Sequence, residues 1–187
     1  MPLSSSSTSV SRYSGAAQAL HWATAILVLV AFLYGPGGSE SRVYSAARDF
    51  DRRLHETLGL IVLLLTVIRV GWRAVDRRPD PPAIPRWMGF LSKLVQGLLY
   101  VFLFAVPLTA ISGAWLEGHP LTWLGGDIAP WIGESHALGA KVAEVHGWLG
   151  DLILWTAGLH AAAALFHQFV LRDGVLRSML PRLGSRR

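Results

Sequence analysis

The sequence HGWLGDLILWTAGLH, residues 146–160, decides the fold of this chain. It begins with His146, ends with His160 and contains Asp151 as its one charged residue. In an α-helix, fourteen residues at about 100° each fall about 40° short of four full turns, so both imidazoles lie on nearly the same face, about 21 Å apart. One helix could therefore offer two ligands at two depths.

Four apolar stretches, of which the last contains this sequence, are each long enough to cross a bilayer, since a spanning helix needs about 20 residues. The stretches cover about 16–35, 54–75, 94–116 and 145–171. The whole chain is 52% hydrophobic and 16% charged, as expected for a membrane protein. We therefore predict an all-α integral membrane protein: one domain over 1–187, built as an up-and-down bundle of four transmembrane helices, with a Ser-rich disordered tail over 1–12.

The chain contains no cysteine, so covalent c-type haem, iron–sulfur clusters on thiolates, zinc–thiolate sites and disulfides are excluded. Any metal must be held by nitrogen or oxygen. The net charge of +5 does not indicate a nucleic-acid partner, because 15 of the 17 basic residues are arginines and most of them flank the apolar stretches. We interpret these arginines as determinants of topology and as anchors for lipid or cofactor.

Basic residues near the helix ends predict the orientation of the bundle. The segment between the second and third stretches and the C-terminal tail carry Arg73, Arg77, Arg78, Arg86, Lys93, Arg172, Arg177, Arg182, Arg186 and Arg187. By the positive-inside rule both segments, and with them both chain termini, belong in the cytoplasm. The loop before the second stretch then lies outside, and its four arginines are offset by four acidic residues: Arg42, Arg48, Arg52, Arg53, Glu40, Asp49, Asp51 and Glu56.

Four histidines fall into two pairs by depth in this topology. His21, near the cytoplasmic start of the first helix, pairs with His160 in the cytoplasmic half of the fourth. His55 and His146, at the outer ends of the second and fourth helices, form the other pair. A lone histidine at such a position is more often a hydrogen-bonded interfacial residue, but four at matched depths favour ligation. Two imidazoles on one iron leave no open position, so we predict two non-covalent b-type haems that carry electrons, with these four histidines as metal ligands.

Arg69 follows His55 by fourteen residues, which carries it to the depth of the other haem and to nearly the same face. An arginine inside a membrane needs an anion, and a haem propionate or a quinone carbonyl would supply one. The alternative is an arginine that extends to the lipid headgroups. Arg52 and Arg53, beside His55, are candidates to neutralise the propionates of the outer haem.

Other polar and aromatic residues are weaker candidates. Trp22, next to His21, is a candidate to pack on the inner haem or to line a quinone site, although an ordinary core or interfacial tryptophan would look the same. His167 lies at the far edge of the hydrocarbon, so we assign it to the rim or to a quinone site. His119 and His136, in the outer loop, are expected to be solvent-facing or structural.

Three segments carry a resemblance to a known family: LHWATAILVLVAFLY (20–34), RRLHETLGLIVLLLTVIRVGWR (52–73) and HGWLGDLILWTAGLHAAAALFHQFVLRDGVLRSMLPR (146–182). They resemble the bacterial cytochrome b-561 family of small di-haem membrane proteins over nearly the whole chain. The loop GHPLTWLGG (118–126) is similar to the family's outer segment between helices three and four. The chain departs from the family in its longer Ser-rich start and in Gln18, where relatives often have a basic residue.

The resemblance implies a protein of the bacterial inner membrane whose haem ligands come from helices one, two and four, at positions that correspond to His21, His55, His146 and His160. It also implies electron exchange with the quinone pool. The family includes superoxide oxidases, which pass an electron from periplasmic superoxide to ubiquinone. We therefore expect membrane lipid and ubiquinone as partners and superoxide as a candidate donor, with a homo-oligomer or a redox partner protein left open.

Two other classes of protein remain as alternatives. A cytochrome b subunit of a hydrogenase or formate dehydrogenase would use similar haems but dock a soluble iron–sulfur protein, usually with extra helices that this sequence lacks. A metal transporter could use the same histidines without any redox chemistry. It would need a polar or acidic path at mid-membrane, and the charge-free first and third stretches argue against one.

Overall fold

The computed structural model describes residues 12–77, 79 and 84–181. The predicted Ser-rich tail lies outside the described residues except for Arg12, as do four of the basic residues used to predict the orientation: Arg78, Arg182, Arg186 and Arg187. In chain order the elements are α1 (Gly15–Tyr34), α2 (Glu40–Val43), a 3-10 turn (Ala46–Arg48), α3 (Asp49–Val75), α4 (Arg86–Leu116), β1 (Leu121–Trp123), β2 (Gly126–Ile128), α5 (His136–Phe166), a π-helical turn (His167–Leu171) and α6 (Val175–Met179).

Among the described residues, four helices are long and apolar enough to cross a membrane: α1, α3, α4, and α5 with its π-helical turn. The predicted all-α class with four spanning helices is therefore confirmed. α4 and α5 begin at Arg86 and His136, several residues before the apolar stretches at 94 and 145, because polar residues can continue a helix without adding to its hydropathy. Large apolar side chains such as Leu33 and Trp155, 71% and 78% exposed, point away from the bundle, as a lipid-facing surface requires.

The alternating helices give the bundle two ends. We call the end at which α1 and α4 begin the terminal end. We call the opposite end, which carries α2 and the antiparallel hairpin that pairs Leu121 of β1 with Ile128 of β2, the hairpin end. At the terminal end, the Ser14 hydroxyl caps α1 by accepting the N–H of Ala17, and it donates to Asp76 just beyond α3 at 2.7 Å. The start of α1 is thereby tied to the end of α3.

Helix α1 packs mainly on α3, and α4 packs mainly on α5. Val62, Leu103 and Ile153 from α3, α4 and α5 form a buried apolar cluster where the pairs meet. Val62 lies seven residues from His55 and seven from Arg69, so the cluster is midway along the bundle between the two predicted haem levels. The core is small because the lipid-facing surfaces take up most of the apolar side chains.

Gly139, in the first turn of α5, contacts the end of α4. A Cβ there would lie 2.6 Å from Cγ and 3.0 Å from the backbone nitrogen of Glu117. Replacing Gly139 with alanine is expected to push the two helices apart and to destabilise the protein by about 1–3 kcal/mol. Thermal unfolding of the purified protein in detergent measures the loss. Gly89→Ala, at the matching position of α4 with no atom within 4 Å, is the control, and equal melting temperatures would contradict this account.

Candidate cofactor site

His55 on α3 and His146 on α5 face each other at the hairpin end, with ring centroids 6.0 Å apart and ring planes at 84°. Nδ1 of His55 is 2.7 Å from the carbonyl oxygen of Ala31, and Nδ1 of His146 is 2.9 Å from that of Val106. A carbonyl only accepts, so each Nδ1 carries the proton and donates. Nε2 of both rings then keeps its lone pair, which is how outer hydrogen bonds prepare histidines to bind a metal.

The two accepting carbonyls lie in different positions, one at the end of α1 and one inside α4. Ala31 is in the last turn of α1, where carbonyls lack partners from a following turn. The N–H of Gly35 bonds to the next carbonyl along rather than to that of Ala31. The carbonyl of Val106 lies inside α4 and also accepts from the hydroxyl of Thr109 at 2.8 Å; a carbonyl oxygen has two lone pairs, so it can take the imidazole N–H as well. Local backbone geometry therefore fixes the tautomer of both histidines.

The cavity beside this pair fits a cofactor. It contains about 810 Å³ not filled by protein atoms, a figure that includes space open to the surroundings. Its walls are mainly apolar and include Val28, Val62, Leu103 and Ile153. Two metal–imidazole bonds of about 2.0–2.1 Å, with about 1 Å from each nitrogen to its ring centre, put two ring centroids about 6 Å apart. The 6.0 Å separation therefore suits a metal held between two histidines, as in a six-coordinate haem.

His21 on α1 and His160 on α5 meet at the terminal half of the bundle, with ring centroids 6.2 Å apart and planes at 74°. A guanidinium nitrogen of Arg69 lies 2.9 Å from Nδ1 of His21. Because arginine only donates, Nδ1 accepts, and the neutral ring carries its proton on Nε2. Binding a metal through Nε2 requires Arg69 to release Nδ1 and the proton to move. This pair has the separation for ligation but, unlike the hairpin-end pair, not the tautomer.

Arg69 has no carboxylate within ion-pair distance in the part of the chain that the structure describes. Its guanidinium lies 5.5 Å from the centre of the Tyr100 ring on α4, and that of Arg73 lies 5.7 Å from the same ring. An arginine in a spanning helix without an anionic partner is a strong candidate to bind an anionic group of a ligand. Tyr100 was missed by the sequence analysis, since nothing in its local sequence indicates which residue of α3 it faces.

Arg52 and Arg53 already have protein partners at the hairpin end. Arg52 bonds to Asp49 at 2.6 Å and to Glu56 at 2.9 Å, and Arg53 pairs with Asp127 of β2 at 3.2 Å. The buried Nε of Arg52 has no partner among the described residues. Their role in neutralising haem propionates stays a prediction, and it would require these pairs to rearrange or to be shared.

Trp22 and Gln18 anchor the C-terminal helix α6 to α1. Nε1 of Trp22 donates to the carbonyl of Met179 at 2.9 Å, while its ring lies edge-on to His21 with centroids 5.4 Å apart. The buried amide of Gln18 donates to the carbonyl of Ser178 at 3.0 Å. Both residues therefore hold α6 across the terminal end, next to the predicted inner haem.

His167 is engaged away from both pairs. Its Nδ1 bonds to one carboxylate oxygen of Asp173 at 2.5 Å, and the other oxygen accepts the N–H of Val175 at the start of α6. The histidine thus supports the cap of α6, and its assignment to the rim or to a quinone site stays a prediction.

The two remaining histidines lie at the hairpin end. His136 begins α5 and is exposed. His119 stacks on Tyr44 with centroids 3.5 Å apart, and its Nε2 lies 2.8 Å from Oε1 of Glu40. Burial raises the pKa of the nearby Glu117 carboxyl, and the charge of Glu40 adds to the rise. The group formed by His119, Tyr44, Glu40 and Glu117 is separate from the two histidine pairs.

Comparison with known proteins agrees with these features. A family model described as prokaryotic cytochrome b561 matches residues 12–182. Cytochrome b562 of Cereibacter sphaeroides is 34% identical to this chain, and the aligned region covers 87% of this chain and 92% of the relative. Cytochrome b561 homolog 2 of Escherichia coli is 26% identical, over 93% of this chain and 94% of the relative. The protein named "Probable superoxide oxidase CybB" of Yersinia pestis is 27% identical, over 91% of this chain and 97% of the relative.

Proposed function

The chain belongs to the prokaryotic cytochrome b561 family, and from this we propose that it is a cytochrome with two b-type haems that carries electrons between a donor and the membrane quinone pool. Membership makes it a membrane oxidoreductase of electron transfer with b-type haem. The haem iron supplies the one-electron redox couple, which suits single-electron donors.

The observation that carries the proposal is the presence of two histidine pairs at two levels, with ring centroids 6.0 and 6.2 Å apart. Helix α5 contributes one histidine to each pair, and α1 and α3 contribute the partners. Each pair would hold one haem. The apolar cluster between the levels would keep water out of the path and maintain a low dielectric.

We assign to Arg69 the role of binding the carboxylate groups of the terminal-end haem. Turning from Nδ1 of His21 to a carboxylate would give the guanidinium a charged acceptor and would let the His21 ring move its proton from Nε2 to Nδ1. One side-chain movement would thus prepare the ligand and neutralise the cofactor's charge.

We place the hairpin end on the periplasmic side of the bacterial inner membrane, with both chain termini in the cytoplasm. The described residues Arg73, Arg77, Arg86 and Lys93 all lie between or beside helix ends at the terminal end, as the positive-inside rule requires of a cytoplasmic face. The hairpin end carries arginines as well, but three of them, Arg48, Arg52 and Arg53, pair with carboxylates.

Superoxide is the donor we propose, with ubiquinone as the acceptor. Two superoxide anions would each lose one electron to become dioxygen, and one ubiquinone would take both electrons with two protons to become ubiquinol. The similarity to the Yersinia protein, which is named as a probable superoxide oxidase, supports this donor. The electrostatics support it only weakly, because ion pairs cancel much of the positive charge at the hairpin end. Ubiquinone would reach the bundle from the lipid that its apolar surface faces.

Haem content and electron transfer test the proposal together. We expect a reduced-minus-oxidised spectrum and a pyridine haemochrome assay on the purified protein to give two b-type haems per chain. Superoxide generated in solution should then reduce these haems, and a water-soluble ubiquinone analogue should reoxidise them.

The outcomes separate the alternatives. Two haems that superoxide fails to reduce would remove the proposed donor and leave the cytochrome assignment. Stable co-purification with an iron–sulfur protein that reduces the haems would favour a subunit of a larger dehydrogenase. A protein without haem would refute the cytochrome function altogether.

A further inference from the structure

A second group of possible metal ligands lies at the hairpin end, outside both histidine pairs. Glu40 of α2, Glu117 at the end of α4 and His119 just after it place one ligand atom each within 4.8 Å of one another. The three residues come from two segments that are far apart in sequence, which the fold brings together.

Glu117 gives the cluster its significance. The residue is only 8% exposed, and no group among the described residues hydrogen-bonds to its carboxylate. Its carboxylate oxygens are not among the fully enclosed polar atoms without a partner, so a cation could reach them and stabilise this largely buried charge. The Arg52 guanidinium, which lies 5.1 Å from the centre of the neighbouring Tyr44 ring, does not fill this role because it is bound to Asp49 and Glu56.

The ligand atoms are held in place by their surroundings. His119 is fixed by stacking on Tyr44 and by its backbone N–H, which bonds to the carbonyl of Ala114. Glu117 is held against α5 because Gly139 there lacks a Cβ that would collide with its side chain. A cation would find two of its three ligands already in place, and the third, Glu40, is on a short helix that is partly exposed.

We propose that Glu40, Glu117 and His119 form a binding site for one divalent cation of the Zn²⁺ type. Two carboxylates and one neutral imidazole supply the charge that balances a divalent ion. One nitrogen with two oxygens is a ligand set that Zn²⁺ accepts, whereas Mg²⁺ and Ca²⁺ favour oxygen alone. Water would complete the coordination.

The cation would link the loop that follows α1 to the end of α4. Tyr44 lies in that loop, and its ring stacks on that of His119. Burial of the Tyr44 hydroxyl and the nearby Glu56 carboxylate raise the pKa of Tyr44. Glu56 lines the cavity beside His55 and His146. The site would therefore stabilise the wall between the hairpin-end pair and the outside.

Zinc binding to the full-length, haem-loaded protein tests the proposal. The protein is purified without a polyhistidine tag, treated with a chelator and titrated with ZnCl₂ by calorimetry. We expect one saturable site, weakened at least 10-fold by Glu117→Gln and by His119→Gln. His167→Gln, a change of a histidine that bonds to Asp173 at the opposite end of the bundle, is the control and should bind as the wild type does. A millimolar excess of Mg²⁺ should not displace the zinc.

X-ray absorption at the zinc edge of the wild-type protein provides a measurement that does not depend on how the variants fold. The expected spectrum contains one imidazole and oxygen ligands. A spectrum with two or more imidazoles, no saturable binding, or full binding by both site variants would overturn the proposal. The haem spectra of metal-free variants report separately on the cytochrome function, so the failure of one proposal would not be mistaken for failure of the other.

Discussion

His146→Ala is expected to remove one of the two haems and to leave the other with an unchanged spectrum. His146 and His55 form the hairpin-end pair. Nδ1 of His146 donates to the carbonyl of Val106, which leaves Nε2 of His146 as the ligand atom. Without one of two axial ligands, a haem held without covalent bonds should be lost on purification. The pyridine haemochrome assay should fall from two haems per chain to one, and a redox titration should lose one of two midpoints.

Two controls make this result specific. His136→Ala removes an exposed histidine from the same helix, and His167→Ala removes the partner of Asp173. Both variants should keep both haems. Loss of a haem from His167→Ala, or two haems in His146→Ala, would show that the pairs have been assigned to the wrong residues.

Arg69→Gln is expected to lower the midpoint potential of the terminal-end haem by about 90 mV. By Coulomb's law, a unit positive charge would stabilise the reduced form by about 2 kcal/mol at an assumed separation of about 8 Å and an effective dielectric of about 20. Removing it should make reduction of that haem harder and leave the other, about 21 Å away along α5, nearly unchanged. Potentiometric titration of the purified protein resolves the two haems.

Arg73→Gln is the matched control, because Arg73 lies over the same Tyr100 ring at nearly the same distance. It is one turn further from the histidine pair, so its loss should shift the potential less. Arg69→Lys keeps the positive charge, so the midpoint potential of this haem should stay close to the wild-type value. Equal shifts in Arg69→Gln and Arg73→Gln, or none in either, would mean that Arg69 serves the lipid headgroups instead of a haem.

The long helices were predictable because a bilayer demands long apolar stretches that are visible in the sequence. The meeting of His21 with His160, and of His55 with His146, followed from helical periodicity together with alternating direction, and the structure brings both pairs together. Whether each pair holds a haem stays a prediction. Periodicity fixes depth and face, which is enough to choose partners but not to choose tautomers.

The hydrogen bonds that set the tautomers could not be predicted. The acceptors at the hairpin end are backbone carbonyls of Ala31 and Val106, and every residue has a carbonyl. The carbonyl of Ala31 is available because it lies in the last turn of α1, and that of Val106 accepts from His146 as well as from the Thr109 hydroxyl. The partner of Arg53 was also hidden, since Asp127 follows it by more than seventy residues and reaches it through the β-hairpin. Long-range contacts of this kind depend on how loops fold back over the bundle.

The apolar cluster of Val62, Leu103 and Ile153 makes the proposed electron path sensitive to voltage. The cluster offers no group that could carry a proton, so an electron crossing it moves charge without compensation. A charge that crosses the whole membrane gains or loses about 2.3 kcal/mol per 100 mV, and the two levels span about 21 of about 30 Å of hydrocarbon. With the hairpin end outside, a potential of 100 mV, negative inside, would favour the electron at the outer pair by about 1.6 kcal/mol, about 15-fold. An energised cell would thus hold its electrons near the periplasmic face.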